Sequence, residues 1–80
     1  MIHELKIKKK YFYDIIKGIK KFEVRKNDRN FKVGDYLALN EFEEDYTGRS
    51  CLVKVIYLLD NPEYCKEGFV VMGIRNCDVN

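Results

Sequence analysis

Apolar and polar residues alternate over residues 3–7, with Leu5 and Ile7 on one face, and this spacing predicts a short first strand. The period then lengthens. Phe12, Ile15, Ile16 and Ile19 fall at i, i+3, i+4 and i+7, a stripe that predicts a helix over residues 8–17 with its apolar side in the core. Gly18 marks the stop, because the left-handed position after a helix end suits glycine. Alternation returns over residues 21–26. There Phe22 and Val24 are expected to enter the core, while Lys21, Glu23 and Arg25 share a wet face. Residues 27–30 read as a turn by composition, and Gly34 marks a second one.

The C-terminal half continues the strand pattern. Residues 36–42 form a strand with Leu37, Leu39 and Glu41 on one face, so a carboxylate ends an apolar row. Residues 43–49 read as an acidic hairpin tip, and the carboxylates of residues 41–45 as solvated. Residues 51–59 predict the longest strand, with Cys51, Val53, Val55 and Tyr57 on one face. A loop follows through residue 68. The almost wholly apolar stretch 69–74 predicts a buried strand, and residues 75–80 a tail. The order β-α-β-β-β-β predicts one α+β domain over residues 1–80. Its short strands and tight turns favour a small curled sheet or partly open barrel, of about five to six mostly antiparallel strands, with the helix plugging one end.

Composition narrows the class without changing this outline. The chain is 46% hydrophobic and 14% aromatic, enough apolar mass to offset chain entropy, which argues against disorder. Three cysteines, Cys51, Cys65 and Cys77, are an odd number without CxxC spacing. They predict reduced thiols, no metal site and no cofactor. The first residues lack the apolar core of a signal peptide, and no segment reaches the ~20 apolar residues of a membrane helix. A cytoplasmic location with no membrane partner is therefore expected.

Charge adds an asymmetry that the net value of +2 conceals. Residues 1–34 hold eleven Lys and Arg against four Asp and Glu, or +7; residues 35–80 hold four against nine, or −5. A cationic face on so small a domain suits phosphate or carboxylate ligands. No Gly-rich phosphate loop, HExxH or Gly-x-Ser-x-Gly is present. His3 is the only histidine and reads as a hydrogen-bonded or surface residue; Cys51 reads as a small core residue. Basic residues concentrate instead around the helix end and the strand after it, as Lys20, Lys21, Arg25, Lys26 and Arg29, with Glu23 among them. Arg25 offers a planar fork of donors to a phosphate or base edge, and Glu23 accepts from amino or hydroxyl groups. An ordinary salt bridge on a solvated strand is the competing interpretation.

The string Gly18-x-Lys20-x-x-Glu23-x-Arg25, following a short amphipathic helix and followed by Val33-Gly34-Asp35, resembles the signature of ASCH domains, a branch of the PUA-like fold. With Tyr11-Phe12, Tyr46-Thr47-Gly48-Arg49 and residues 68–74, essentially the whole chain is similar to a compact ASCH-related group frequent in bacteria and their phages. The resemblance implies a PUA-like β-barrel with a cleft between helix and barrel that binds RNA or a nucleotide. Lys20, Lys21, Lys26 and Arg29 would meet phosphates, and Glu23 and Arg25 polar edges. One enzymatic branch resembles a small amidohydrolase of acylated cytidine that places a Lys and a Thr in this segment. Lys20 matches the Lys, whereas Glu23 stands at the Thr position. Two alternatives follow. One is a hydrolase of modified nucleosides or RNA, with Lys20 and Glu23 as catalytic candidates. The other is a protein-interaction module using the acidic tip. If Glu23 and Arg25 lie on a wet face, replacing them should cost little stability.

Overall fold

Four of the five strands turn their apolar sides toward a common interior, and one short helix covers its end. The computed structural model describes residues 1–77. Its elements are β1 (Ile2–Lys8), α1 (Lys9–Ile16), β2 (Phe22–Lys26), β3 (Tyr36–Glu43), β4 (Asp45–Leu59) and β5 (Phe69–Asn76). They form one mixed sheet in the order β1-β3-β4-β5-β2, curled into a half-barrel. The pair β1–β3 is parallel, and the remaining pairs are antiparallel. The expected α+β curled barrel with one early helix is what the chain adopts. Among the described residues, no helix is long and apolar enough to cross a membrane.

The interior is built from alternate residues. Leu5 and Ile7 of β1, Leu37 and Leu39 of β3, Cys51, Val53 and Val55 of β4, and Val70, Met72 and Ile74 of β5 are buried together with Phe12 and Ile15 of α1. The helix is one residue shorter at each end than its period predicts, and only part of its stripe is buried. Ile16 and Ile19 are exposed, because the helix stops at Ile16 and the chain turns away from the sheet. Gly18 makes that turn at φ +75°, a conformation that disfavours any side chain, while the amides of Ile19 and Lys20 both donate to the Asp14 carbonyl at 2.9 Å.

Four other expectations need correction. The acidic tip contracts to Glu44, at φ +63°, with Glu43 and Asp45 already paired, so β4 begins at Asp45. Tyr57 does not share the face of Val53 and Val55. A bulge at Ile56 inserts one residue opposite β5 and turns Tyr57 outward, where it is 66% exposed. Arg75 and Asn76 belong to β5 and not to a tail, and the Cys77 amide after them still donates to the Leu52 carbonyl; residues 78–80 lie outside the described residues. Finally, Glu41 is 2% exposed and far from solvated.

Glu41 ends the inward row of β3 under α1. Its Oε1 accepts from the Thr47 hydroxyl at 2.6 Å, and its Oε2 has no partner among the described residues. Two residues on, Arg49 donates to the Tyr13 hydroxyl at 2.6 Å and lies 5.0 Å and 4.6 Å over the Phe12 and Tyr13 rings. The Thr47-Gly48-Arg49 segment thus gives one oxygen of a buried carboxylate its partner and pins the helix to the sheet. At the other end of the interior, His3 is buried with its ring edge-on to Phe31 at 4.8 Å. Its Nε2 donates to Asp35 Oδ2 at 2.8 Å, tying β1 to the turn before β3.

Two outcomes follow from these polar contacts. Thr47→Val leaves the Glu41 carboxylate with no partner and should destabilise the fold by about 2 kcal/mol in urea denaturation. The double variant Glu41→Met/Thr47→Val should recover most of that loss, since removing both partners leaves no orphan. The His3 hydrogen bond, followed by that from the Lys32 amide, holds the Asp35 pKa below its ordinary 3.8. A lowered carboxylate pKa stabilises the fold above the unfolded value, and that contribution is lost as pH falls through the folded one. Asp35→Asn should therefore be less stable than the parent near neutral pH, with the gap closing below about pH 4 in pH-dependent thermal melts.

Candidate functional site

The sheet curls without closing. Strands β1 and β2 are its two ends, and their free edges face one another across a cleft of about 510 Å³. Lys6, Ile7 and Lys8 of β1, residues 22–26 of β2, Lys20 before β2 and Tyr11 of α1 line it. At the two ends of β2 the carbonyl of Lys21 accepts from the Ile74 amide of β5 and the amide of Asn27 donates to the carbonyl of Gly68, just before β5, so Phe22, Val24 and Lys26 aim their backbone groups at the open seam. The cleft is thus bordered by two unpaired strand edges.

Side chains of the basic segment occupy this seam. Arg25 donates through Nη2 to the Lys6 carbonyl, and Arg29 donates through Nη1 to the Glu4 carbonyl at 2.8 Å. Lys20 Nζ donates to the Phe22 carbonyl at 2.8 Å. Three edge carbonyls thereby gain partners that a sixth strand would otherwise supply.

This arrangement reverses the expected facing of β2. Glu23 is buried, at 4% exposure, whereas Phe22 and Val24 are 47% and 51% exposed. The inward side of an end strand looks into the seam instead of the packed centre, so it can hold polar groups that satisfy one another. Glu23 Oε1 accepts from Lys20 Nζ at 2.7 Å, and Glu23 Oε2 from Arg25 Nε at 2.8 Å. The Lys20 ammonium also sits 4.8 Å from the Phe22 ring centre and 5.4 Å from that of Tyr11, within cation–π reach of both.

Five cations and one carboxylate line the cleft, which makes it net cationic. Arg25 commits two of its five N–H donors to Glu23 and Lys6, leaving three for a ligand. Of the segment singled out from the sequence, Lys20, Glu23, Arg25 and Lys26 meet in this one cleft. Arg29 lies in the adjoining depression, which shares Lys6 and Arg25 with it. Lys21 departs from the set and lines a separate hollow with Gly18, Ile56 and Arg75. Lys6, Lys8 and Tyr11 join the site although the sequence assigned none of them a binding role. Only their position beside the seam recruits them, and strand order is not written in a local pattern.

Comparison with known proteins agrees with this fold and extends the phage connection. The chain is 36% identical over 67 residues to the "Uncharacterized 12.9 kDa protein in GpA 3'region" of Escherichia phage P2. That match takes in 82% of this chain and 62% of the relative, so the chain spans somewhat under two thirds of the phage protein. Among solved structures, the hypothetical protein PH0355 superposes with a TM-score of 0.67 over 95% of this chain and 99% of its own, at 19% identity, a likeness of fold alone. A family model described as "Domain of unknown function (DUF3850)" matches residues 2–74, nearly the whole described chain. The chain therefore belongs to the DUF3850 family.

Proposed function

We propose that this domain is a PUA-like module of the ASCH type that binds a nucleotide or single-stranded RNA in the seam between β1 and β2, in a bacterial or phage cytoplasm. The observation that carries the proposal is Arg25. Its guanidinium is braced by Glu23 on one side and the Lys6 carbonyl on the other, and still has three donors in a net cationic cleft. A braced planar fork loses little entropy when it meets a phosphate or a base edge, and bidentate pairs of this kind are strong. Lys6, Lys8 and Lys26 supply charge around it, and Tyr11 and Phe22 supply aromatic surface for a base. RNA recognition through splayed bases and phosphates needs no deep groove, and a small cleft with exposed aromatic surface is sufficient.

The alternatives gain less support. Among the described residues no Ser, Thr or Cys lines the cleft, and both Glu23 oxygens already accept from cations. A hydrolytic reading therefore lacks a positioned nucleophile. The acidic tip loses Glu41 to the interior, and Glu43 pairs with Lys9 at 3.5 Å, which weakens its case as a docking surface.

A titration of the isotope-labelled domain with 5′-UMP and 5′-AMP, followed by amide chemical shifts, tests the reading. Shifts are expected at residues 6–8 and 20–26, and the affinity should weaken on going from about 50 to 200 mM salt. Lys26→Ala should weaken binding while moving stability by no more than about 0.5 kcal/mol, since it removes only an exposed cation. Glu23→Gln should both weaken binding and cost about 2 kcal/mol of stability, because it leaves Lys20 and Arg25 half-paired at a mostly buried site. Absence of shifts in the cleft with either nucleotide at low salt would refute the proposal.

A further inference from the structure

The reversal of β2 leaves its other side to be explained. Phe22 and Val24 point outward, and the register places them beside outward residues of β5 and β4. One row across the three strands is Phe22, Gly73 and Tyr57; the next is Val24, Val71 and Leu59. Rows two residues apart on a strand are separated by about 6.6 Å. Cations bracket both rows. Arg75 pairs with Lys54 at one end, and Lys26 pairs with Phe69 at the other, where Lys66 Nζ lies 5.3 Å over the Phe69 ring. No outward position of these rows carries a carboxylate.

Gly73 has no side chain, and a Cβ built there would come within 3.2 Å of Tyr57 Cβ and 3.8 Å of an Ile56 side-chain carbon, so Tyr57 lies close over this glycine. Phe22 and Tyr57 flank it two strand spacings apart, about 10 Å between Cα atoms, and each presents an exposed ring on the outer face.

Resting on the nucleotide-binding reading of the cleft, we infer that the outer face of β2, β5 and β4 is a second subsite for single-stranded RNA, in which bases stack on the exposed Phe22 and Tyr57 rings and phosphates meet Arg75, Lys54 and Lys26. Charge selects this occupant. A second copy of the chain laid face to face would set cations against cations, whereas a polyanion with flat apolar bases satisfies both the charges and the aromatic rows. The face is also continuous with the cleft, since Phe22 and Val24 border both. A strand of RNA can thus pass over the β2 edge, with one nucleotide in the seam and the next on the face.

The test uses fluorescein-labelled octauridylate and octaadenylate in anisotropy titrations, with 5′-UMP as a probe of the cleft alone. Tyr57 is exposed and does not line the cleft, so Tyr57→Ala should preserve folding and 5′-UMP binding. It should weaken octanucleotide binding by about tenfold, as expected for the loss of one stacked base. Arg75→Ala should weaken the octanucleotide and lower its salt slope by about one. If Tyr57→Ala leaves octanucleotide affinity within about twofold while Arg25→Ala abolishes it, the cleft reading stands and the subsite is wrong. Binding of 5′-UMP without any binding of octanucleotides would have the same meaning. A dimer in sedimentation that Tyr57→Ala dissolves would also overturn the inference, by making the face a self-association surface.

Discussion

A curled sheet that stops short of closure must satisfy two rows of backbone groups across its gap. In this domain the Lys20–Glu23–Arg25 cluster performs that task. Arg25 and Arg29 reach from the β2 side to carbonyls of β1, and Lys20 covers a carbonyl of β2 itself. Those cations would repel one another and lose hydration at the partly buried seam without an anion between them. Glu23 supplies it, with one oxygen for Lys20 and the other for Arg25. The cluster therefore has one structural role, bridging the edges, and leaves donors over for a second. Closure by side chains instead of a sixth strand is also what creates the cleft.

The interior at the α1 end follows a related economy. Glu41 is carried inward by the strict alternation of β3, and Thr47, brought back by the tight turn at Glu44, answers it. Arg49 then binds the helix through Tyr13. A segment with the appearance of an exposed acidic loop proves to be the support of the helix. The charged residues of the chain thus separate into a seam set that remains partly available and a set consumed by packing. Six of the eleven cations of residues 1–34, Lys6, Lys8, Lys20, Arg25, Lys26 and Arg29, are gathered by the fold at the seam.

The inward turn of Glu23 and the outward turn of Phe22 are one event, since neighbouring residues on a strand face opposite sides. Where the polar pair forms the seam, the aromatic residue must join the outer face. There Gly73 and the bulge at Ile56 bring Tyr57 alongside. Cleft and aromatic outer face are in this sense two consequences of the same strand phase.

Local periodicity determined the element order, the helix with Phe12 and Ile15 inward, the burial of alternate residues in β1, β3 and the first part of β4, and the stop at Gly18, because each depends on a few adjacent side chains and their spacing. The grouping of Lys20, Glu23 and Arg25 was likewise readable, since it spans one turn and one short strand. Periodicity, however, specifies that residues alternate without specifying which set faces in. For β2 that choice was made by its place at the end of the sheet, where the inward side meets an open seam in place of apolar neighbours. Strand order, the recruitment of Lys6, Lys8 and Tyr11, the burial of Glu41 and the outward turn of Tyr57 were decided the same way. Each rests on pairing between segments distant in the chain, and the energies that select such pairing are those of edges, bulges and desolvated charges, which exist only once the sheet has formed.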